Sequence, residues 1–312
     1  MSTAQASKPA ILVTGADLAP QAIDLLGDFE LVYAGRTPTE DQLIGLCRQY
    51  QPVGIIVRYG KISAAIMDAS PALRVISKHG AGIDTIDSAA AAARGIAVKA
   101  AAGANAPAVA EHTWALILAC AKAVPHLNGR VHAGHWDKAT HKSIDLNGRC
   151  LGLVGLGAIG QRVAAIGAAF GMNVLAYDPF FSGAQANATL TSLDDLYARS
   201  DVISLHCPLT SSNRQMIGAD TIARLRDGVI LVNTARGGLL DEAAVVEALR
   251  SGKMRAAGLD SFAEEPIRAG HVFADVPNAI LSPHIGGVTE NAYVDMGVGA
   301  AKNLLAVVRA GA

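Results

Sequence analysis

The sequence is short of cysteine, of net charge and of long apolar runs. Its four cysteines, Cys47, Cys120, Cys150 and Cys207, lie far apart and form no C-x-x-C pair. That spacing argues against a zinc site and a disulfide framework, leaving buried or half-buried thiols and no expected metal. Lys and Arg number 26 against 27 for Asp and Glu, a formal net charge of −1. So balanced a chain has no field to attract nucleic acid or an anionic membrane, and its charges fall singly rather than in blocks. Apolar residues make up 51% of the chain, yet no uninterrupted run reaches the ~18 residues of a membrane span. Residues 1–10 are small and polar, with no basic start leading into an apolar stretch. No export signal is read there, so a cytoplasmic protein is expected. Low-complexity linkers and short-period repeats are also lacking.

What the chain does have is alternation. Short β-rich runs at 10–14, 54–57, 74–77 and 96–98 are separated by amphipathic or alanine-rich helical stretches. The second half repeats the pattern at 150–155, 173–177, 201–205, 228–232, 256–259 and 279–281. Strands alternating with helices mark parallel sheets with crossover helices, and two such runs in 312 residues predict an α/β protein of two Rossmann-like domains. A helix over 107–128, apolar nearly all round and so expected to be buried, lies between them. A last helix over about 289–309 is expected to return to the first lobe.

Gly155-x-Gly157-x-x-Gly160 follows an apolar strand and opens a helix over 161–170. The first glycine permits a tight turn, the second lets backbone approach a pyrophosphate, and the third lets helix and strand pack closely. Ala158 and Ile159 lie in the turn, where the helix N-terminus offers unpaired N–H groups to phosphate. The next strand ends at Asp178, 18 residues past Gly160. A carboxylate there would bond both ribose hydroxyls of NAD and repel the extra phosphate of NADP. NAD is the expected cofactor.

Three later strings each aim one polar residue from a Gly- or Pro-containing turn. They are Asn233-Thr-Ala-Arg-Gly-Gly238, Asp260-Ser-Phe-Ala-Glu-Glu-Pro266 and Ser282-Pro-His-Ile-Gly-Gly287. Arg236 can clamp a planar carboxylate, His284 titrates near neutrality, and Glu265 can orient and charge that imidazole. These three are the candidate catalytic residues of a hydride-transfer enzyme for a 2-hydroxy or 2-keto acid. His206, ending a strand beside Cys207-Pro208, is a candidate for the cofactor cleft, whereas His112 reads as a packing residue.

With these strings in order, the chain resembles the D-isomer-specific 2-hydroxyacid dehydrogenases, particularly the phosphoglycerate dehydrogenase-like branch. Lys78-His-Gly-Ala-Gly-Ile-Asp84 and Asn105-Ala-Pro-Ala-Val-Ala-Glu-His112 carry the resemblance into the first half. It implies that His284 is the acid/base, Glu265 its partner, and Arg236 the holder of the substrate's carboxylate and carbonyl oxygen. It also implies that Cys207, Pro208, Thr234 and Asp260 line the nicotinamide and ribose; Ala235, Gly286 and Gly287 are placed with them. The loop Gly80-Ala81-Gly82 would present N–H groups to the carboxylate, which adjacent amides suit. The family's nucleotide domain is inserted into a flavodoxin-like substrate domain. That predicts 1–101 with 285–312 as the substrate domain and 102–284 as the NAD domain. The family's central helix builds a two-fold dimer, so a homodimer through the 106–128 region is expected.

Arg58 and Lys78 lie at carboxyl ends of first-lobe strands and are candidates to bind an anionic group beyond the carboxylate. Phosphoglycerate dehydrogenases place cations at the matching positions, which leaves 3-phosphoglycerate open as a substrate. His79 replaces a small residue and narrows that pocket toward hydroxypyruvate or glyoxylate. Segment 136–148 lacks the family's usual pattern, and Asn213 stands where a threonine is frequent. No extra regulatory domain is expected after Ala312. The alternatives are a glyoxylate/hydroxypyruvate reductase and, from another class, an NAD-sensing corepressor or scaffold. A formate dehydrogenase is disfavoured, because its relatives carry an amide where Glu265 stands.

Overall fold

The computed structural model describes residues 8–183 and 187–310, folded as two compact units, 1–105 with 288–312 and 106–287. The first unit holds five parallel strands: β1 (Ala10–Val13), β2 (Glu30–Tyr33), β3 (Gly54–Val57), β4 (Val75–Lys78) and β5 (Ala97–Ala100). They lie in the order β2-β1-β3-β4-β5, the flavodoxin-like arrangement, with its switch point between β1 and β3. β1 and β3 are buried along their whole length, as continuous apolar runs in a two-sided parallel sheet should be. β2 has no counterpart among the sequence-derived strands, and its place in the sheet explains why. It is an edge strand with only Val32 buried, so it carries little of the apolar signal that marks a central strand. The helix Glu290–Ala310 packs on this sheet, its Ala300, Ala301, Leu304 and Leu305 joining Ile11, Val13, Ile56 and Val75 in one core.

The second unit holds seven parallel strands: β6 (Cys150–Val154), β7 (Asn173–Tyr177), β8 (Thr189–Leu190), β9 (Val202–Leu205), β10 (Val229–Asn233), β11 (Met254–Leu259) and β12 (Ala279–Leu281). Their order, β12-β11-β10-β9-β6-β7-β8, is that of a dinucleotide-binding sheet extended by one strand, with its switch point between β6 and β9. β8 is a two-residue edge strand that the sequence reading also missed.

The single long helix expected over 107–128 is instead two, Ala106–Lys122 and Val124–His132, broken at Ala123 with φ +52°. Pro125 is the cause: it has no N–H to give the preceding turn, and its ring would strike the carbonyl four residues back. The first helix is buried as expected, through Val109, Trp114, Leu116 and Ile117 among others. The second has no buried residue, which corrects the expectation of burial past Ala123. Segment 136–148 contains one 3-10 turn, Asp137–Ala139, braced by a two-pronged ion pair from Arg130 to Asp137 at 2.7 and 2.9 Å.

Candidate active site

The glycine turn leaves β6 at the switch point. Gly155 has φ +100°, and a Cβ there would stand 2.7 Å from the His206 carbonyl, so neither the conformation nor the space admits a side chain. A Cβ on Gly157, by contrast, meets nothing within 4 Å. That open cradle lies at the N-cap of the helix Ala158–Ala169, whose first N–H groups have no intrahelical partner. Asp178, just past β7, is aimed by two amides, accepting from Leu156 N at 2.8 Å and Phe180 N at 2.9 Å. Ionised, it keeps acceptor sites for hydroxyl groups.

His206 follows β9 on the other side of the switch point. Its Nε2 pairs with Ser204 Oγ at 2.9 Å, while Nδ1 is buried without a partner. Burial pushes its pKa down to about 4, so it is a neutral imidazole. A buried nitrogen without a partner and an open glycine cradle at the same switch point suit a dinucleotide, and these residues fit NAD. Asn213 closes the Cys207-Pro208 turn by accepting from Thr210 N at 2.7 Å and donating to the Pro208 carbonyl at 2.8 Å. The departure from threonine thus has a structural use.

Arg236, Glu265 and His284 come from loops after β10, β11 and β12, neighbouring strands of one sheet. The β10 loop is set by Asn233, which donates to the Arg236 carbonyl at 2.9 Å and accepts from Ala235 N at 3.0 Å. Gly237 then passes against the next loop so closely that a Cβ would stand 1.8 Å from the Phe262 carbonyl carbon. Only glycine lets the Arg236 and Glu265 loops meet there. Glu265 accepts from Phe262 N at 2.9 Å and from His284 Nδ1 at 2.8 Å. With Nδ1 committed as donor, the neutral ring has its lone pair on Nε2. His284 itself is left-handed, φ +54°, a conformation uncommon for a side-chain-bearing residue and found where a turn must aim a functional group.

Electrostatics link the pair. The hydrogen bond to Glu265 raises the His284 pKa above its ordinary value, against burial and Arg236, which lower it. Burial pushes Glu265 up, but the bonds from His284 and the Phe262 amide outweigh it and leave the carboxyl below its usual value.

The unusual conformation of His284 is held by Asp260, which is 1% exposed. Its carboxylate accepts from Ser282 Oγ at 2.6 Å, Ile285 N at 2.9 Å and Gly286 N at 2.8 Å. Asp260 therefore clamps the loop on both sides of His284, a use not foreseen when it was placed only beside the cofactor. His112 completes the clamp, with Nε2 2.8 Å from Ser282 Oγ and 3.3 Å from Asp260 Oδ1. Since Ser282 gives its proton to Asp260, His112 Nε2–H is the donor to Ser282. The sequence reading missed this role for His112 and Ser282, whose 170-residue separation gives no local signal. Thr234 is likewise tied down, its hydroxyl 2.9 Å from that of Thr113.

In the first unit the loop Gly80–Gly82 follows β4, and Arg58 follows β3. Arg58 forms an ion pair with Asp17, a partner the sequence reading did not foresee. Lys78 Nζ donates to the Arg58 carbonyl at 3.2 Å.

Residues 114–286 match the model of the family described as D-isomer specific 2-hydroxyacid dehydrogenase, NAD binding domain. A D-3-phosphoglycerate dehydrogenase of Mycobacterium tuberculosis is 37% identical over 302 residues, 96% of this chain but 56% of the relative. The chain thus spans little more than half the length of the first such relatives. A hydroxypyruvate reductase of Thermotoga maritima is 43% identical over 242 residues, covering 76% of this chain and 78% of its own. Among solved structures, a glyoxylate reductase from Paecilomyes thermophila superposes with a TM-score of 0.88 at 31% identity, over 98% of this chain and 97% of that one.

Proposed function

The chain belongs to the D-isomer specific 2-hydroxyacid dehydrogenases, and we propose that it transfers hydride between NAD(H) and a small 2-hydroxy or 2-keto acid. The observation that carries this reading is the 2.8 Å His284–Glu265 pair, on a loop beside that of Arg236. With its pyrophosphate held at the glycine turn, NAD(H) would supply or take up the hydride through its nicotinamide. Arg236 holds the substrate carboxylate and offsets charge growing on the C2 oxygen. His284 Nε2 delivers the proton to that oxygen in reduction and removes it in oxidation. Glu265 keeps Nδ1 protonated and balances the imidazolium. Asp178 selects NAD over NADP by occupying the place of a 2′-phosphate with negative charge. For the loop Gly80–Gly82 of the first unit, the proposed role is to offer its amides to an anionic group.

The carboxylate at Glu265 favours this chemistry over that of a formate dehydrogenase, which moves no proton. We place the protein in the cytoplasm, a reading the four unpaired thiols support, and as a homodimer through the 106–128 region. The side chains of Val124, Val131 and Trp136, exposed just at and beyond its end, support that assembly.

A panel of 2-keto acids with NADH tests the reading. His284→Asn should lower kcat by about 10²–10⁴-fold, the usual scale of acid–base catalysis, while NADH binding measured by fluorescence persists. Turnover within a few-fold of wild type in that variant would remove His284 from its role. Wild-type inactivity across the panel would favour the NAD-sensing scaffold.

A further inference from the structure

The first unit has its own topological switch point, between β1 and β3, where open α/β sheets take ligands outside the carboxyl ends of their strands. Gly15 and Asp17 follow β1, and Arg58 follows β3, so the two loops flank that crevice. Thr14 Oγ staples them, accepting from Arg58 N at 3.0 Å and Tyr59 N at 3.2 Å and donating to the Tyr59 carbonyl at 2.7 Å. Arg58 is thereby set in place, and its side chain is only 12% exposed.

A cation in such a crevice is the natural receptor for an anionic group, but this one is already engaged. Its Nη1 donates to the Asp17 carboxylate and to the Asp17 carbonyl at 2.6 Å. Tyr293, from the last helix, donates its hydroxyl to Asp17 Oδ1 at 2.8 Å and lays its ring 5.0 Å from the guanidinium. Tyr59 stands 5.3 Å away as a second aromatic neighbour. Gly15 completes the fit: a Cβ there would stand 2.9 Å from Arg58 Cδ. His79 backs Tyr293 at 5.5 Å between ring centroids, buried, with Nε2 unpartnered. Burial and then Arg58 push its pKa down to about 4, so it adds no positive charge near neutral pH. Asp17 holds its charge the more firmly for the Tyr293 and Arg58 hydrogen bonds, which lower its pKa.

We propose that Asp17 is a specificity-determining residue: by neutralising Arg58 at the switch point, it makes this crevice select 2-keto acids with an uncharged far end and reject phosphorylated ones. A phosphate approaching Arg58 meets a fixed carboxylate on the same guanidinium. Asp17 already occupies Nη1 and offsets the charge, so a phosphate reaching the remaining guanidinium donors is held beside a carboxylate that repels it. A hydroxymethyl or hydrogen substituent has no such conflict. The inference rests on the dehydrogenase reading for its substrate, but the ion pair and its consequence for anions belong to the first unit alone.

The test compares hydroxypyruvate with 3-phosphohydroxypyruvate, and separately titrates inorganic phosphate into the full chain. Wild type should prefer hydroxypyruvate at least tenfold in kcat/KM. Asp17→Asn, which keeps the shape and removes the charge, should cut that preference at least fivefold, mainly through KM for the phosphorylated acid. By ³¹P NMR or calorimetry, phosphate binding should strengthen at least fivefold in Asp17→Asn and be lost in the Asp17→Asn/Arg58→Gln double variant. Asp17→Ala should move both readouts in the same direction, with circular dichroism confirming the fold of each variant. A wild-type preference for the phosphorylated acid, or wild-type phosphate binding that Arg58→Gln abolishes, overturns the proposal. So does a phosphate affinity unchanged by loss of Asp17. Inactivity toward both keto acids counts against the dehydrogenase reading, and the phosphate titration then still decides the role of Asp17.

Discussion

His284 depends on two carboxylates of different kinds. Glu265 contacts its ring and raises its pKa, whereas buried Asp260 holds the loop that aims it. Removing the charge of Glu265 therefore has a sign that can be worked out. Glu265→Gln takes away the main influence raising the His284 pKa, so the pKa falls. Reduction needs the protonated ring, so its rate is lost at lower pH than in wild type. Oxidation needs the neutral ring, so its acid limb also moves to lower pH. The two pH–rate profiles should shift together toward acid, with reduction the more impaired at pH 8; unmoved profiles would separate Glu265 from the proton transfer. Arg236, Glu265 and His284 were legible as candidates because Gly and Pro surround each of them. His112 and Ser282 were not, because their use lies in a contact across 170 positions.

At the level of elements, the active loops owe their meeting to a close approach of backbone. Gly237 lies in the 3-10 turn Gly237–Leu239, and the Phe262–Ala263 peptide runs directly over its Cα. Gly237→Ala forces that peptide away, at a cost of about 1–3 kcal/mol as for other overpacked positions. Displacing Arg236 from Glu265 by roughly 1 Å should lower kcat/KM by about 10²-fold. Thermal melting and steady-state kinetics together check both effects, and an unchanged variant would mean that the loops need no such contact. The GxGxxG turn could be read from its strand–turn–helix setting, where Gly155 takes φ +100° and Gly160 passes close to the Gly155 carbonyl. The break at Ala123 was harder to read. The apolar pattern runs on through it, and only Pro125, one residue into the next helix, marks it.

For the molecule as a whole, the proposed dimer accounts for apolar surface that the single chain leaves in water. Val131 is 57% exposed and Trp136 79% exposed, and neither joins a core cluster. Val131→Asp should weaken self-association at least tenfold, about 1.4 kcal/mol, because a buried carboxylate without a partner is costly. Sedimentation velocity over a concentration series measures this. Monomeric wild type, or a variant that associates as well, would refute an interface at this surface. The proposed chemistry at this scale rests on topology: the glycine turn and the β9 loop flank the switch point of one sheet, and Asp17 and Arg58 that of the other.

Sequence alone determined the α/β class, and it singled out the glycine turn, Asp178 and the three residues proposed for catalysis. Each of these is written in neighbouring residues: an apolar run, a glycine at a fixed offset, a polar group between turn formers. Edge strands β2 and β8 escaped it because one-sided or two-residue strands bury too little to leave a pattern. The tertiary structure decided which charges are already engaged. Arg58 reads as an available cation until Asp17, 41 residues away, and Tyr293, 276 residues from Asp17, close around its charge. Asp260 reads as a cofactor contact until its oxygens are found holding the amides that flank His284. Hydrogen-bonding capacity is spent in space rather than along the chain, so only the folded arrangement determines where each group's lone pairs and protons go.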